Sequence, residues 1–248
     1  MPPEASVRGA QEQEPAYVIH RRPWRETSLM VDLFTLNHGR ISVVARGASR
    51  NKSSLKAQLQ PFQPLLLGWV GRSDLKTLTQ VDVCDGPALH RTVSLYSGLY
   101  LNELVQRVLP QADPHPTLFA AYIEALALLA ETSDVEPVLR KFEQSFAAAL
   151  GYDFAWDLAT DTGQTVCATR AYCYDPEQGI VTATSAGVRL QNLPGEALLA
   201  LAGGDFETVA SRRVAKRVMR VLTDYLLQGR PLNSRSLFTH QRVERHES

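Results

Sequence analysis

Arg21, Arg22, Arg25, Arg40, Arg46, Arg50, Lys52, Lys56, Arg72 and Lys76 set ten bases against three acids within residues 15–80, interleaved with Trp24, Phe34, Phe62 and Trp69. Cations that track phosphates and aromatic faces on which bases stack are the two components of single-strand nucleic-acid binding. A second basic run closes the chain. Its Arg212, Lys216 and Arg220 form one i, i+4 row, and Arg213 with Arg217 forms another. Like charges stacked on a helix repel by a few tenths of a kcal/mol per pair, a penalty that a polyanion removes. Between the two runs, residues 81–210 carry seventeen acids against six bases, and Arg140-Lys141 is a cationic spot within that acidic block. The net charge of the chain is zero, so its total hides a basic, acidic, basic order that points to an anionic partner.

Other chemistries lack their residues. No G-x-x-x-x-G-K-[ST], G-x-S-x-G, H-E-x-x-H or C-x-x-C occurs, so an enzyme is not expected. His20, His38, His90, His115, His240 and His246 show no ligand spacing. Cys84, Cys167 and Cys173 have no framework spacing, which fits a reducing compartment, and Cys167 with Cys173 supplies half of a zinc ligand set. Asp153, Asp157 and Asp161 recur at helical spacing and read as a solvated acidic face near a helix end. The longest nearly apolar stretch, 118–130, contains Glu124 and is shorter than the ~20 residues of a membrane span. A cytoplasmic protein without cofactor or membrane contact is expected.

Positioning the basic residues requires a scaffold. Residues 1–14 offer almost nothing to bury and read as a disordered tail. From Ala16 the period is two: Tyr17-Val18-Ile19, then Leu29, Val31 and Leu33, then Ile41 and Val43, with Asn37-His38-Gly39 as a hairpin turn. Residues 59–70 and 75–83 add two strand candidates beyond a basic loop. Five short strands over 15–86 suggest a small barrel of the OB or SH3 kind. Phe34, Phe62 and Trp69 are expected in its core and Trp24 at its surface.

Helical spacing then takes over in a helical domain, 87–151. Leu95, Leu99, Leu104 and Val108 lead to Pro110, 118–130 is a second helix, and Val138, Phe142, Phe146 and Leu150 mark a third, with Ser133 and Glu136 as a capping box. Residues 152–248 read as a C-terminal subdomain with a basic helix over 209–228 that stops at Gly229. The fold class is therefore α+β: an N-terminal OB-fold β-barrel, a helical bundle and a small C-terminal α/β subdomain.

Several motifs occur in a family's order. These are Arg22-Pro23-Trp24 with Glu26-Thr27-Ser28-Leu29, Gly39-Arg40, Arg46-Gly47-Ala48, Ser53-x-Leu55, Leu59-Gln60-Pro61-Phe62, Leu95-Tyr96-Ser97-Gly98-Leu99-Tyr100 with Asn102-Glu103-Leu104, and Leu139-Arg140-Lys141-Phe142-Glu143 ending at Leu150-Gly151-Tyr152. Over roughly residues 16–240 the chain resembles the RecO family of bacterial recombination mediators. The resemblance implies binding of single- and double-stranded DNA, annealing of complementary strands, pairing with RecR, and help in loading RecA onto DNA coated by single-stranded DNA-binding protein (SSB), with RecF an indirect partner. In many relatives a zinc is held by two C-x-x-C pairs; this chain lacks them and resembles a zinc-less variant.

Contact with DNA is expected at Arg21, Arg22, Arg25, Arg46, Arg50, Lys52, Lys56, Arg72, Lys76, Arg212, Arg213, Lys216, Arg217 and Arg220. The SSB tail is acidic and ends in a Phe carboxylate, so a cation beside an apolar pocket suits it. By resemblance Arg140 takes that role, with Lys141, Leu139 and Phe142. Two other readings compete: a protein adaptor that docks RecR and SSB without touching DNA, and a metal-dependent nuclease using acids of the middle block.

Overall fold

A computed structural model describes residues 10–50, 53–71, 73–184 and 187–238. Strands β1 (Ala10–Trp24), β2 (Ser28–Thr35) and β3 (Gly39–Ala45), helix α1 (Ser54–Gln58), and strands β4 (Leu65–Val70) and β5 (Leu75–Val83) come first. The strands close into a barrel in the order β1-β2-β3-β5-β4, with β3 and β5 parallel and the other pairs antiparallel. This is the OB-like barrel that the alternating pattern predicts. Val18, Val31, Leu33, Val43, Leu59 and Leu67 are fully buried in it, each contributing about 1.5–3 kcal/mol.

The expected tail over 1–14 is corrected by β1, which begins at Ala10. Ala10, Gln11 and Glu14 pair with Val70, Trp69 and Leu67 and help close the barrel. A closing ladder is made of backbone hydrogen bonds, so it needs no apolar period. Glu14 is 1% exposed and accepts from Asn37 N at 2.6 Å and Asn37 Nδ2 at 3.1 Å. It therefore fixes the β2–β3 turn, where Gly39 has a φ of 62°.

Next come α2 (Thr92–Val108), α3 (Pro116–Glu131), α4 (Val135–Ala149), β6 (Leu158–Ala159), β7 (Gln164–Thr165), β8 (Ala171–Asp175), β9 (Gly179–Val181), β10 (Leu190–Pro194), α5 (Gly195–Ala202) and α6 (Val209–Leu226). Two compact units result. One joins the chain up to Ser133 with the chain from Leu232 onward, and the other is Asp134–Pro231. The helices expected as one middle domain are thus divided, α2 and α3 lying with the barrel and α4 with the elements from β6 to α6.

In the barrel unit, β1 and β2 are buried on both faces. Phe34 and Tyr17, pointing away from the barrel interior, pack edge-on or tilted against Phe119 and Tyr122 of α3 with ring centroids 5.1–5.8 Å apart. Tyr122 Oη donates to Asn102 Oδ1 at 2.5 Å, and Asn102 Nδ2 to the Val18 carbonyl at 3.4 Å. Gly98 of α2 permits a close approach, since a Cβ there would fall 2.7 Å from the Phe62 ring.

Helices α1, α2 and α3 each have C-terminal carbonyls capped by an arginine from elsewhere. Arg21 donates to Lys56 O at 3.0 Å and Leu59 O at 2.9 Å, Arg40 Nε to Leu109 O at 2.9 Å, and Arg91 to the carbonyls of Leu129, Ala130 and Thr132. A cation there satisfies orphan carbonyls and opposes the negative helix end.

The second unit packs α6 and α5 on the β10-β8-β9 sheet around Tyr174, Ile180, Leu193, Leu198, Val218 and Leu222. Its α4 has Asp134 as N-cap with no side-chain cap bond, so the Ser133–Glu136 box does not form. Residues 153–161 contain no helix. Asp161 instead accepts from Thr182 N at 3.0 Å and Ala183 N at 3.2 Å, pinning two loops together. β10 and α5 were outside the sequence expectation, because the eight residues of α5 (GEALLALA) span too few turns to show a polar face.

Candidate nucleic-acid interface

The β1–β2 turn, the loop after β3 and the start of β5 converge on a groove of about 750 Å³. Trp24, Arg25, Glu26, Arg46, Arg50 and Lys76 line it, together with the hydroxyls of Thr27, Ser28 and Thr77. Its walls are joined through Ser49, whose N–H donates to Thr27 O and whose Oγ donates to Ser28 O, both at 3.0 Å. Gly47 turns the loop with φ 72°, and Arg25 takes φ 54° in the turn opposite. Among the described residues the Arg25, Arg46 and Arg50 guanidiniums enter no ion pair, and Lys76 Nζ reaches only the Ser73 carbonyl at 3.3 Å. Four cations against one acid, Glu26, form a concave site for a polyanion. The hydroxyls of Thr27 and Ser28 were missed as groove residues, because nothing in their spacing sets them apart from other turn hydroxyls.

The remaining bases of the barrel are placed differently. Arg21 spends its N–H groups on Lys56 O, Leu59 O and Gln60 Oε1, and Arg40, partly buried with its pKa pulled down by desolvation, holds Leu109. Both hold backbone carbonyls at helix ends. Arg22 is exposed with Nη2 2.9 Å from Met30 Sδ, and Lys56 is exposed on α1 beyond the groove lining. Lys52 and Arg72 lie outside the described residues. Phe34 and Trp69 are in the core as expected, at 0% and 2% exposure, while Phe62 and Trp24 are half-buried.

On α6 the expected repulsion is partly relieved within the protein. Arg212 pairs with Asp134 at 2.7 Å and Lys216 with Glu136 at 2.5 Å, so acids at the start of α4 answer that row. Arg213, Arg217 and Arg220 are exposed and without an ion pair among the described residues. Their i, i+4, i+7 spacing puts them on one face over about 10 Å. On α4, Arg140 pairs with Glu143 at 2.8 Å, and the side chains are 12% and 3% exposed. The buried Arg140 Nε meets no acceptor. Leu139 and Phe142 are core residues, 7% and 1% exposed, and Lys141 is exposed.

The cysteines do not fit zinc. Cys167 is exposed and 3.3 Å from Thr169 Oγ1, Cys173 is buried and 3.9 Å from Thr184 Oγ1, and no group of three or more metal-ligating side chains exists among the described residues. None of the helices among them is long and apolar enough to cross a membrane.

The family model for the recombination protein O N terminal domain matches residues 10–87, and that for its C terminal domain matches residues 90–236. The chain belongs to the RecO family. DNA repair protein RecO of Marinobacter nauticus is 67% identical over 237 residues, 94% of this chain and 96% of that protein. The RecO of Methylococcus capsulatus is 43% identical over 242 residues, 96% of this chain and 98% of its own length. That of Haemophilus influenzae strain 86-028NP is 43% identical over 230 residues, 92% and 96% of the two chains. RecO membership puts the chain among proteins of DNA repair and recombination, and the names of these relatives state that role without naming a reaction.

Proposed function

We propose that this RecO-family chain binds single- and double-stranded DNA and anneals complementary strands, with the barrel groove holding one backbone and the Arg213, Arg217, Arg220 face of α6 another. The observation that carries this reading is the groove itself, where Arg25, Arg46, Arg50 and Lys76 face one acid across a concave surface. Buried or paired cations add little to counterion release; free ones in a groove add fully. Two phosphate grips on one chain raise the local concentration of one strand near another, which is what annealing needs. No bond is broken or made, in keeping with a sequence that lacks nucleophile and metal motifs.

The same reading includes help in loading RecA onto SSB-coated strands, with RecR and the acidic SSB tail as protein partners. For the tail, the Arg140 guanidinium, 12% exposed and with a buried Nε that meets no acceptor, is the cation that would take a carboxylate, in competition with Glu143. The test is a salt titration of oligonucleotide affinity. Changing Arg25, Arg46, Arg50 and Lys76 together to Ala flattens the slope of log K against log salt by about 3. An unchanged slope removes the groove from the DNA site. Should the intact chain bind RecR and the SSB tail but no oligonucleotide, the adaptor reading replaces this one.

A further inference from the structure

Phosphate binding does not need an aromatic wall, yet the groove has one. Trp24 ends β1 immediately before Arg25, whose φ of 54° is rare for an L side chain, and it lines the groove with Arg25, Arg46, Arg50 and Lys76. Exposure separates it from the other two tryptophans: Trp24 is half-buried, whereas Trp69 and Trp156 are 2% and 5% exposed. Strained turns held in place by their surroundings cluster at ligand-binding sites. Here the strained turn joins β1 to β2, and it meets the loop after β3 and the start of β5 in the groove. The β1–β2 loop is one of the two through which OB barrels grip oligonucleotides.

The cations of the groove serve a duplex as well as a strand, because both present phosphates. Base faces differ: in a duplex they are stacked on one another, and in a single strand they are free. We propose that Trp24 is the specificity-determining residue of this groove, stacking on an unpaired base while the flanking cations hold its phosphates, so that the groove prefers single-stranded to double-stranded DNA. This rests on the DNA reading above and adds to it the strand state that is selected. The competing role for Trp24 is a wall that only keeps the turn in shape.

The full chain is titrated with an oligothymidylate of about 12 nucleotides, within the span of one OB barrel, and with a hairpin duplex of equal phosphate count, while tryptophan emission is followed. Since the other tryptophans are buried, quenching by the single strand reports Trp24. Trp24→Leu, which keeps an apolar side chain without a π-face, is expected to weaken single-strand binding about tenfold, ~1.4 kcal/mol, and to change duplex binding less than twofold. Trp24→Phe restores most of the affinity and abolishes the quenching. Equal losses for both DNA forms in Trp24→Leu, with an unchanged circular dichroism spectrum, overturn the proposal in favour of the wall. So do undiminished single-strand affinity in that variant and quenching that survives in Trp24→Phe. If the unaltered chain binds neither DNA form, the underlying DNA reading falls with the proposal. If it binds both and only the preference fails, the groove reading stands alone.

Discussion

The guanidinium of Arg21 sits 2.9 Å from the Leu59 carbonyl oxygen and, through the same Nη1, 3.0 Å from that of Lys56. This arginine closes the end of α1 although it stands within the most basic stretch of the sequence. Arg21→Ala is expected to destabilise the protein by about 1.5–3 kcal/mol, the range for hydrogen bonds to a charged donor, and Arg21→Lys restores little, because an ammonium has no planar fork. Thermal unfolding measures the loss. A salt titration of DNA affinity should keep its slope in Arg21→Ala; a slope lowered as far as in the groove variants contradicts a purely structural role.

On α6, two sets of bases separate by partner. Changing Arg213, Arg217 and Arg220 to Ala flattens the salt dependence of DNA binding by about 2–3 and leaves thermal unfolding nearly in place. Arg212→Ala does the opposite, lowering the unfolding midpoint through its lost contacts with Asp134 and the Phe206 carbonyl. Indistinguishable effects of the two changes would show that the exposed face is not a distinct surface.

Glu103 of α2 holds the returning chain, accepting from Asn233 N at 2.9 Å, Ser234 N at 2.8 Å and Ser234 Oγ at 2.6 Å, with Arg107 at 2.8 Å. Burial by itself pushes this carboxyl up, but the Ser234 and Asn233 hydrogen bonds and the Arg107 charge outweigh it, so it stays below the usual carboxylate range. Because the folded pKa lies below the unfolded one, the stabilisation is complete above the unfolded value, about 4.3, and is lost as pH falls through the folded value. Glu103→Gln should therefore cost about 1–3 kcal/mol at neutral pH. Urea unfolding from pH 7 to pH 3 should show its deficit shrinking toward the acid end, and a constant deficit rejects the assignment.

Arg140 and Glu143 form a nearly buried pair, so Arg140→Ala removes one half of a buried ion pair and is expected to cost about 3–5 kcal/mol. That loss would mask any effect on peptide binding. Arg140→Met with Glu143→Leu replaces the pair by apolar groups of similar size and should be close to neutral. In that folded double variant, an acidic peptide ending in Phe should no longer bind, as measured by fluorescence anisotropy. Retained binding moves the tail site elsewhere.

The elements legible in the sequence are those that leave a period. Ile41 and Val43 alternate with Ser42 and Val44, and Val214, Val218 and Leu222 recur along one helix face, so the barrel and α6 were visible. Glu14 was not, because its strand is selected by a backbone ladder and its side chain is held by a turn 23 residues away. Asp153, Asp157 and Asp161 imitated a helix by coincidence of spacing. Charge in the sequence marked Arg21, Arg40 and Arg46 alike, yet only burial and the position of carbonyls tell a helix cap from a free guanidinium. Arg25, Arg46, Arg50 and Lys76 come from three separate segments, so their meeting in one groove depends on how β3 and β5 pair.

The discontinuity of the barrel unit sets an order of birth. At about 5–20 residues per second, the ribosome delivers the barrel, α2 and α3 first, then the whole of Asp134–Pro231, and only afterwards the segment from Leu232 onward that completes the first unit. Glu103 thus waits through the synthesis of an entire second unit for Asn233 and Ser234. A nascent chain stalled before residue 232 carries a complete inserted unit beside an unfinished host, and its Glu103 carboxylate still lacks the partners that close the fold.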